Sequence, residues 1–253
     1  MIELAHSLLG HGPAFVWGHG LTSSRASEDR LPLLRWDTIT EANRQVVRYD
    51  AAGHGETGGP PEPAAYEWPR LATDLLALLD QRGLDRVDAG GASMGCASTL
   101  HAAVRATERF RRLVLVIPPT AWDTRAAQAE QYEASAGYVE REGKAAWLEV
   151  AADTQRPAIF ADLPPAPMAA DIPEAILPSV LRGAAASDLP SAEAIAALQQ
   201  PALILAWAGD PGHPESTAHR LAELLPRSEV RVATQLQDIF TWSAAIADFL
   251  SAT

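Results

Sequence analysis

Apolar residues along the chain fall into short continuous runs, separated by longer stretches with helical spacing. Ala14-Phe15-Val16-Trp17, Leu113-Val114-Leu115-Val116-Ile117 and Ala202-Leu203-Ile204-Leu205-Ala206-Trp207 are runs of this kind, and Val46-Val47-Arg48-Tyr49 reads as another strand. Their length and composition predict strands buried on both faces. Arg86-Val87-Asp88-Ala89 and Glu229 to Val232 read as two further short strands. Trp68 to Arg82 places Leu71, Leu75, Leu78 and Leu79 on one face of a helix, which Gly83 terminates. Helices are also predicted over Cys96 to Arg105, about Glu215 to Leu225, and near Ile239 to Leu250. The start, Ile2-Glu3-Leu4-Ala5-His6, alternates and then meets the turn Gly10-His11-Gly12-Pro13, which predicts an opening hairpin.

Strands that alternate with helices, and that are apolar enough to be covered on both faces, predict an α/β fold with a mostly parallel, doubly wound sheet. The alternation stops from about Thr120 to Gln200, where the pattern is Ala-rich and helical with interspersed prolines. Residues 1–119 and 201–253 are therefore expected to form one core, and residues 120–200 a helical cap inserted over the C-terminal edge of the sheet. Trp122, Tyr132, Tyr138, Trp147, Phe160, Met168, Leu177 and Leu181 supply the insertion's larger apolar side chains. Most are expected to pack internally and some to line a substrate cavity.

Composition narrows the class of protein. The 253 residues are 47% hydrophobic and 21% charged, values expected of a globular, enzyme-sized protein able to bury a substantial core. Thirty-two acidic against twenty basic residues give a net charge of −12, which argues against nucleic acid or an anionic membrane as partner. The single cysteine, Cys96, rules out an intramolecular disulfide, and no Cys/His spacing suggests a metal site. No cofactor motif is visible, and a small molecule is the expected partner. No stretch reads as a signal peptide or a membrane span, so a cytoplasmic location is expected. Oligomeric state is not readable from the pattern.

The candidate chemistry gathers where predicted strands end. Gly90-Gly91-Ala92-Ser93-Met94-Gly95-Cys96 lies between a strand and a helix, the context that a Gly-x-Ser-x-Gly nucleophile elbow needs. Small neighbours let the backbone pass closely while the Ser93 hydroxyl projects, and the Met94 N–H then faces an oxyanion formed at Ser93. The strand ending in Trp17 runs into Gly18-His19-Gly20-Leu21, where the Leu21 N–H is a second candidate oxyanion donor. Asp50-Ala51-Ala52-Gly53-His54-Gly55 is a Gly-rich turn in which Asp50 reads as structural, bonding nearby backbone N–H groups. Ala208-Gly209-Asp210-Pro211-Gly212-His213-Pro214 follows the last long apolar strand.

His19-Gly20-Leu21, Asp50-x-x-Gly53-His54-Gly55, Gly91-x-Ser93-x-Gly95 and Gly209-Asp210-Pro211-x-x-Pro214, in that order, resemble the α/β-hydrolase superfamily over nearly the whole chain. The resemblance is closest to the small esterase, enol-lactonase and carbon–carbon hydrolase branch. It implies an α/β-hydrolase fold, Ser93 as nucleophile, Leu21 and Met94 as oxyanion donors and Asp210 as the triad acid, with Asp123, shortly after the Leu113–Ile117 strand, a weaker alternative for that acid. The chain departs from the family at the histidine that follows the last strand, giving the order Ser…Asp…His. The matching stretch here, Val232-Ala233-Thr234-Gln235-Leu236-Gln237-Asp238-Ile239, has none, and the last histidine of the chain is His219.

A serine hydroxyl needs a base, so the seven histidines divide by position. His6, His11, His101 and His219 sit on predicted surface or supporting elements, and His19 and His54 in motif turns. His213 lies three residues after Asp210, at the sheet edge where ligands bind in this architecture, and is the candidate base. So short a separation predicts a poorly oriented acid–base pair and slow turnover. Three functions remain open. The first is a serine hydrolase (a carboxylesterase or lactonase) acting on a small, largely apolar ester or lactone. The second is a non-hydrolytic lyase, cyclase or isomerase using the oxyanion hole. The third is a non-catalytic ligand-binding protein on the same fold.

Overall fold

The structure, a computed structural model, describes residues 2–30, 32–152, 157–161, 163 and 170–252. Its strands are β1 (His6–Leu9), β2 (Ala14–Gly18), β3 (Gln45–Tyr49), β4 (Val87–Ala92), β5 (Phe110–Val116), β6 (Ala202–Trp207) and β7 (Ser228–Ala233). They form one seven-stranded sheet in the order β1-β3-β2-β4-β5-β6-β7. The pairing of β1 with β3 is antiparallel and every other pairing is parallel.

The continuous apolar runs are explained by two cores. Successive strand residues point to opposite faces. Phe15, Trp17, Val114, Val116, Leu203 and Leu205 enter one core, while Val16, Leu113, Leu115, Ile204 and Ala206 enter the other. A strand buried on both faces has no polar position to alternate with. The helices are α1 (Arg25–Arg30), α2 (Trp36–Glu41), α3 (Trp68–Gln81), α4 (Met94–Arg105), α5 (Arg125–Ala152), α6 (Leu177–Ala185), α7 (Ala192–Ala196), α8 (Glu215–Leu224), α9 (Leu236–Phe240) and α10 (Trp242–Ser251). Leu71, Leu75, Leu78 and Leu79 of α3, with Leu100 of α4 and Leu221 of α8, fill one core. Ile39 of α2 and Trp242, Ile246 and Leu250 of α10 fill the other.

The opening hairpin does not form. The first strand is His6–Leu9, and its partner is β3, with His6 opposite Tyr49 and Leu9 opposite Val46. Both edges of β2 are taken in parallel by β3 and β4, so no edge is left for a hairpin partner. Gly10 (φ +70°) and Gly12 (φ +104°) turn the chain from β1 into β2 through conformations that L side chains rarely adopt.

Between β5 and β6 the described residues contain helices and no strand. α5 bends at Gly143 (φ +86°) and packs on α6. Trp122, Tyr132, Tyr138, Trp147, Leu177 and Leu181 join the core that contains α3, and Phe160 packs on the opposite one. Met168 lies outside the described residues.

Candidate active site

The site is assembled from three strand ends. β4 delivers Ser93 into α4 through a turn in which Ser93 itself adopts φ 51°, ψ −108°. A non-glycine residue at such angles is strained, and the surrounding structure must hold it there. The Ser93 N–H bonds the Val116 carbonyl of β5 at 3.0 Å, and its carbonyl accepts the Ala97 N–H at 3.0 Å. Gly91 and Gly95 make the turn possible. A Cβ at residue 91 would overlap backbone atoms of Gly95 in the elbow itself and of Gly18 at the end of β2, and one at residue 95 would overlap those of Gly18 and His19.

β6 delivers Asp210 and His213. Gly209 (φ +75°) reverses the chain, and the His213 N–H bonds the Asp210 carbonyl at 3.2 Å. Asp210 Oδ1 accepts the Gly212 N–H at 2.8 Å. These two bonds fold residues 210–213 into a tight turn that sends both side chains the same way. Asp210 Oδ2 lies 2.8 Å from His213 Nδ1, and His213 Nε2 lies 2.9 Å from Ser93 Oγ. The three-residue separation therefore does not hold the two side chains apart, as the spacing alone suggested. The turn itself closes the pair. The Gly212 carbonyl also accepts the Thr120 N–H at 3.2 Å, tying this loop to the chain leaving β5.

Burial pushes the Asp210 carboxyl up, but hydrogen bonds from His213, Trp207 Nε1 (2.7 Å) and Gly212 outweigh it and hold the group at about 2. Asp210 is thus ionised at neutral pH and can only accept. The His213 tautomer that satisfies it carries its proton on Nδ1, leaving the Nε2 lone pair for the Ser93 hydroxyl.

β2 delivers the third part. Leu21 lines the cavity above Ser93. Its turn is closed by the Ser23 N–H on the Gly20 carbonyl at 3.1 Å, and the neighbouring Thr22 (φ +64°) gives its carbonyl to the Asp171 N–H at 2.9 Å. The Met94 side chain is buried in the core, while its N–H is the first amide of α4 and has no acceptor within that helix.

The remaining histidines have other partners or face solvent. His19 is buried, with Nδ1 2.8 Å from the Gly20 carbonyl and Nε2 accepting the Ala51 N–H at 3.0 Å. His54 is buried with Nδ1 2.8 Å from the Ala52 carbonyl, and its ring lies 5.1 Å from that of His19. His101 Nε2 lies 2.8 Å from the Asp188 carbonyl, and His11 and His219 are exposed. Asp50 accepts the Arg25 and Glu56 N–H groups at 2.8 and 3.0 Å and anchors its own turn; Asp123 is exposed. Burial raises the Cys96 thiol well above its usual range.

Ser93 and His213 open into a cavity of about 570 Å³. Leu21, Ile117, Trp147, Val150, Ala151 and Leu181 give it apolar walls. One helical stripe of α5, Gln128, Gln131, Ser135 and Tyr138, adds neutral polar groups. None of the described lining residues is an Asp, Glu, Lys or Arg. Sequence pattern did not single out these glutamines or Trp207. The 3–4-residue spacing along α5 carries the stripe once that helix is known, whereas nothing local marks Trp207 as a partner of Asp210.

Comparison with known proteins agrees with this architecture. The chain is 28% identical to 3-oxoadipate enol-lactonase 2 of Acinetobacter baylyi over 197 residues, which is 74% of this chain and 69% of that protein. It is 28% identical to epoxide hydrolase 2 of Siraitia grosvenorii over 113 residues, 45% of this chain but only 34% of the plant protein. A hydrolase of Pseudomonas aeruginosa PA01 superposes with a TM-score of 0.81 at 23% identity, over 98% of this chain and 94% of that one. The enol-lactonase of Burkholderia xenovorans superposes at 0.80 with 20% identity, over 98% and 96%. At these identities the superpositions speak for the fold. The model of the alpha/beta hydrolase family matches residues 4–238, nearly the full length, and the chain belongs to that family.

Proposed function

We propose that this protein is a serine hydrolase of a small, uncharged, largely apolar ester or lactone. The carrying observation is the line Ser93 Oγ, His213 Nε2 (2.9 Å), His213 Nδ1, Asp210 Oδ2 (2.8 Å). In this reading Ser93 attacks the carbonyl carbon as His213 Nε2 takes its proton. Asp210 holds the Nδ1–H tautomer and stabilises the imidazolium that forms. The Leu21 and Met94 N–H groups receive the oxyanion. Collapse of the tetrahedral intermediate expels the alcohol, which takes the proton back from His213. Water, deprotonated by His213, then cleaves the acyl–Ser93 ester and regenerates the hydroxyl.

Residues 120–200 act as the cap of this site, with α5 and α6 roofing Ser93, and residues 1–119 and 201–253 act as its base. The lyase, cyclase or isomerase reading and the binding-only reading both drew on the missing histidine after β7. With His213 in reach of Ser93, hydrolysis has the support they lacked. Reaction with a fluorophosphonate tests the nucleophile. We expect one adduct, at Ser93, abolished in Ser93→Ala; a folded protein that takes no label at Ser93 contradicts the proposal.

A further inference from the structure

Asp210 and His213 belong to one four-residue turn, so any movement of that turn carries acid and base together. Their mutual distance would survive such a movement, but the distance from His213 to Ser93 would not. Something outside the turn has to refer the pair to the sheet that carries Ser93. Asp210 Oδ2 receives two N–H donors: His213 Nδ1 at 2.8 Å, and the indole Nε1 of Trp207 at 2.7 Å. Trp207 is the last residue of β6 and is in register with Ala233 of β7. Its buried ring stacks on Trp242 (centroids 5.9 Å apart, planes at 9°) and meets Phe160 edge-on at 4.9 Å. It also stands edge-on to the His213 ring at 6.1 Å. The indole N–H is therefore a donor fixed by the sheet and by aromatic packing, not by the loop.

We propose that Trp207 is a positioning residue of the triad: its indole N–H fixes the Asp210 carboxylate in the orientation that aims His213 at Ser93. This rests on the hydrolytic function proposed above. A hydrogen bond to a carboxylate is among the stronger neutral-donor contacts, and its loss at this position loosens the acid without removing it. Trp207→Phe keeps most of the stacking and deletes the N–H. Trp242→Phe keeps the N–H and trims the stacking.

The test is a double-mutant cycle on an activated ester, read with the indole resonances of the intact protein. Trp207→Phe is expected to lower kcat about tenfold with KM unchanged. In an Asp210→Asn background the same change is expected to cost little further, because Trp207 acts through Asp210. Trp242→Phe is expected to keep wild-type kcat. In ¹H–¹⁵N spectra, Asp210→Asn is expected to shift the Trp207 indole N–H and to leave that of Trp122, which donates to the Pro190 carbonyl, in place. A wild-type kcat in Trp207→Phe overturns the assignment, as does a full loss repeated in the Asp210→Asn background. An equal loss in Trp242→Phe assigns the effect to packing and also overturns it. Should the wild-type protein turn over no ester, the hydrolytic proposal fails separately, and an unmoved Trp207 resonance in Asp210→Asn still overturns the contact.

Discussion

The imidazoles of His19 and His54 lie side by side in the core, where a proton on either ring would place a charge away from water. Burial, with the neighbouring His19 ring adding to it, lowers His54 to about 3, and burial lowers His19 as well. A histidine in the unfolded chain takes up its proton near pH 6.5. Folded, both rings take up that proton only at lower pH, His54 near 3. The stability that His54 contributes is thus complete above about pH 6.5 and declines as pH falls from there toward 3. For one such group the slope is about 1.4 kcal/mol per pH unit. Urea unfolding at pH 7.5, 6 and 5 should show stability falling more steeply in the wild type than in His54→Asn. Parallel curves would remove His54 from the account of acid sensitivity.

At the scale of elements, the elbow depends on two close backbone approaches. Gly91→Val and Gly95→Val each place side-chain atoms where the Gly18–His19 backbone or the elbow's own backbone already lies. Both substitutions should lower folding yield and melting temperature together with activity. Wild-type expression and melting in both would contradict the motif's structural basis. The elbow was legible in the sequence because strand, Gly-x-Ser-x-Gly and helix are contiguous, and the core strands were legible because burial on both faces leaves uninterrupted apolar runs. The pairing of β1 was not legible. Its four residues are half exposed, and which strand edge stays free is decided by β3 and β4, far along the chain. The Asp210–His213 geometry was legible only in part. Position pointed to His213, but sequence separation says nothing of the two turn bonds that bring the rings and carboxylate into line. Trp207 was hidden for the same reason, since its role comes from where β6 ends relative to that turn.

For the molecule as a whole, acidity and cavity agree on the kind of ligand. A net charge of −12 disfavours approach of polyanions, and the described cavity lining carries no cation to pair with a carboxylate or phosphate. Apolar walls combined with a stripe of amide and hydroxyl groups suit a neutral acyl or ring compound. Among the described residues no helix is long and apolar enough to cross a membrane. Across a matched ester panel, short aromatic or alicyclic acyl esters should exceed their carboxylate-bearing analogues in kcat/KM by about tenfold or more, given what an unpaired buried charge costs. A preference for the charged members, or tight phosphate binding, would contradict this picture of the cavity.

His213 is the proposed base for Ser93 although it shares a turn with Asp210, and the rate of His213→Ala on an activated ester, with His219→Ala as the control, decides whether it acts as one. Imidazole is the side chain suited to accept the serine proton near neutrality. His213→Ala should lower kcat/KM by about 10²-fold or more, while His219→Ala, altering an exposed residue of α8, should leave it unchanged. If His213→Ala keeps the wild-type rate, His213 is not the base and the triad proposed for this protein is wrong.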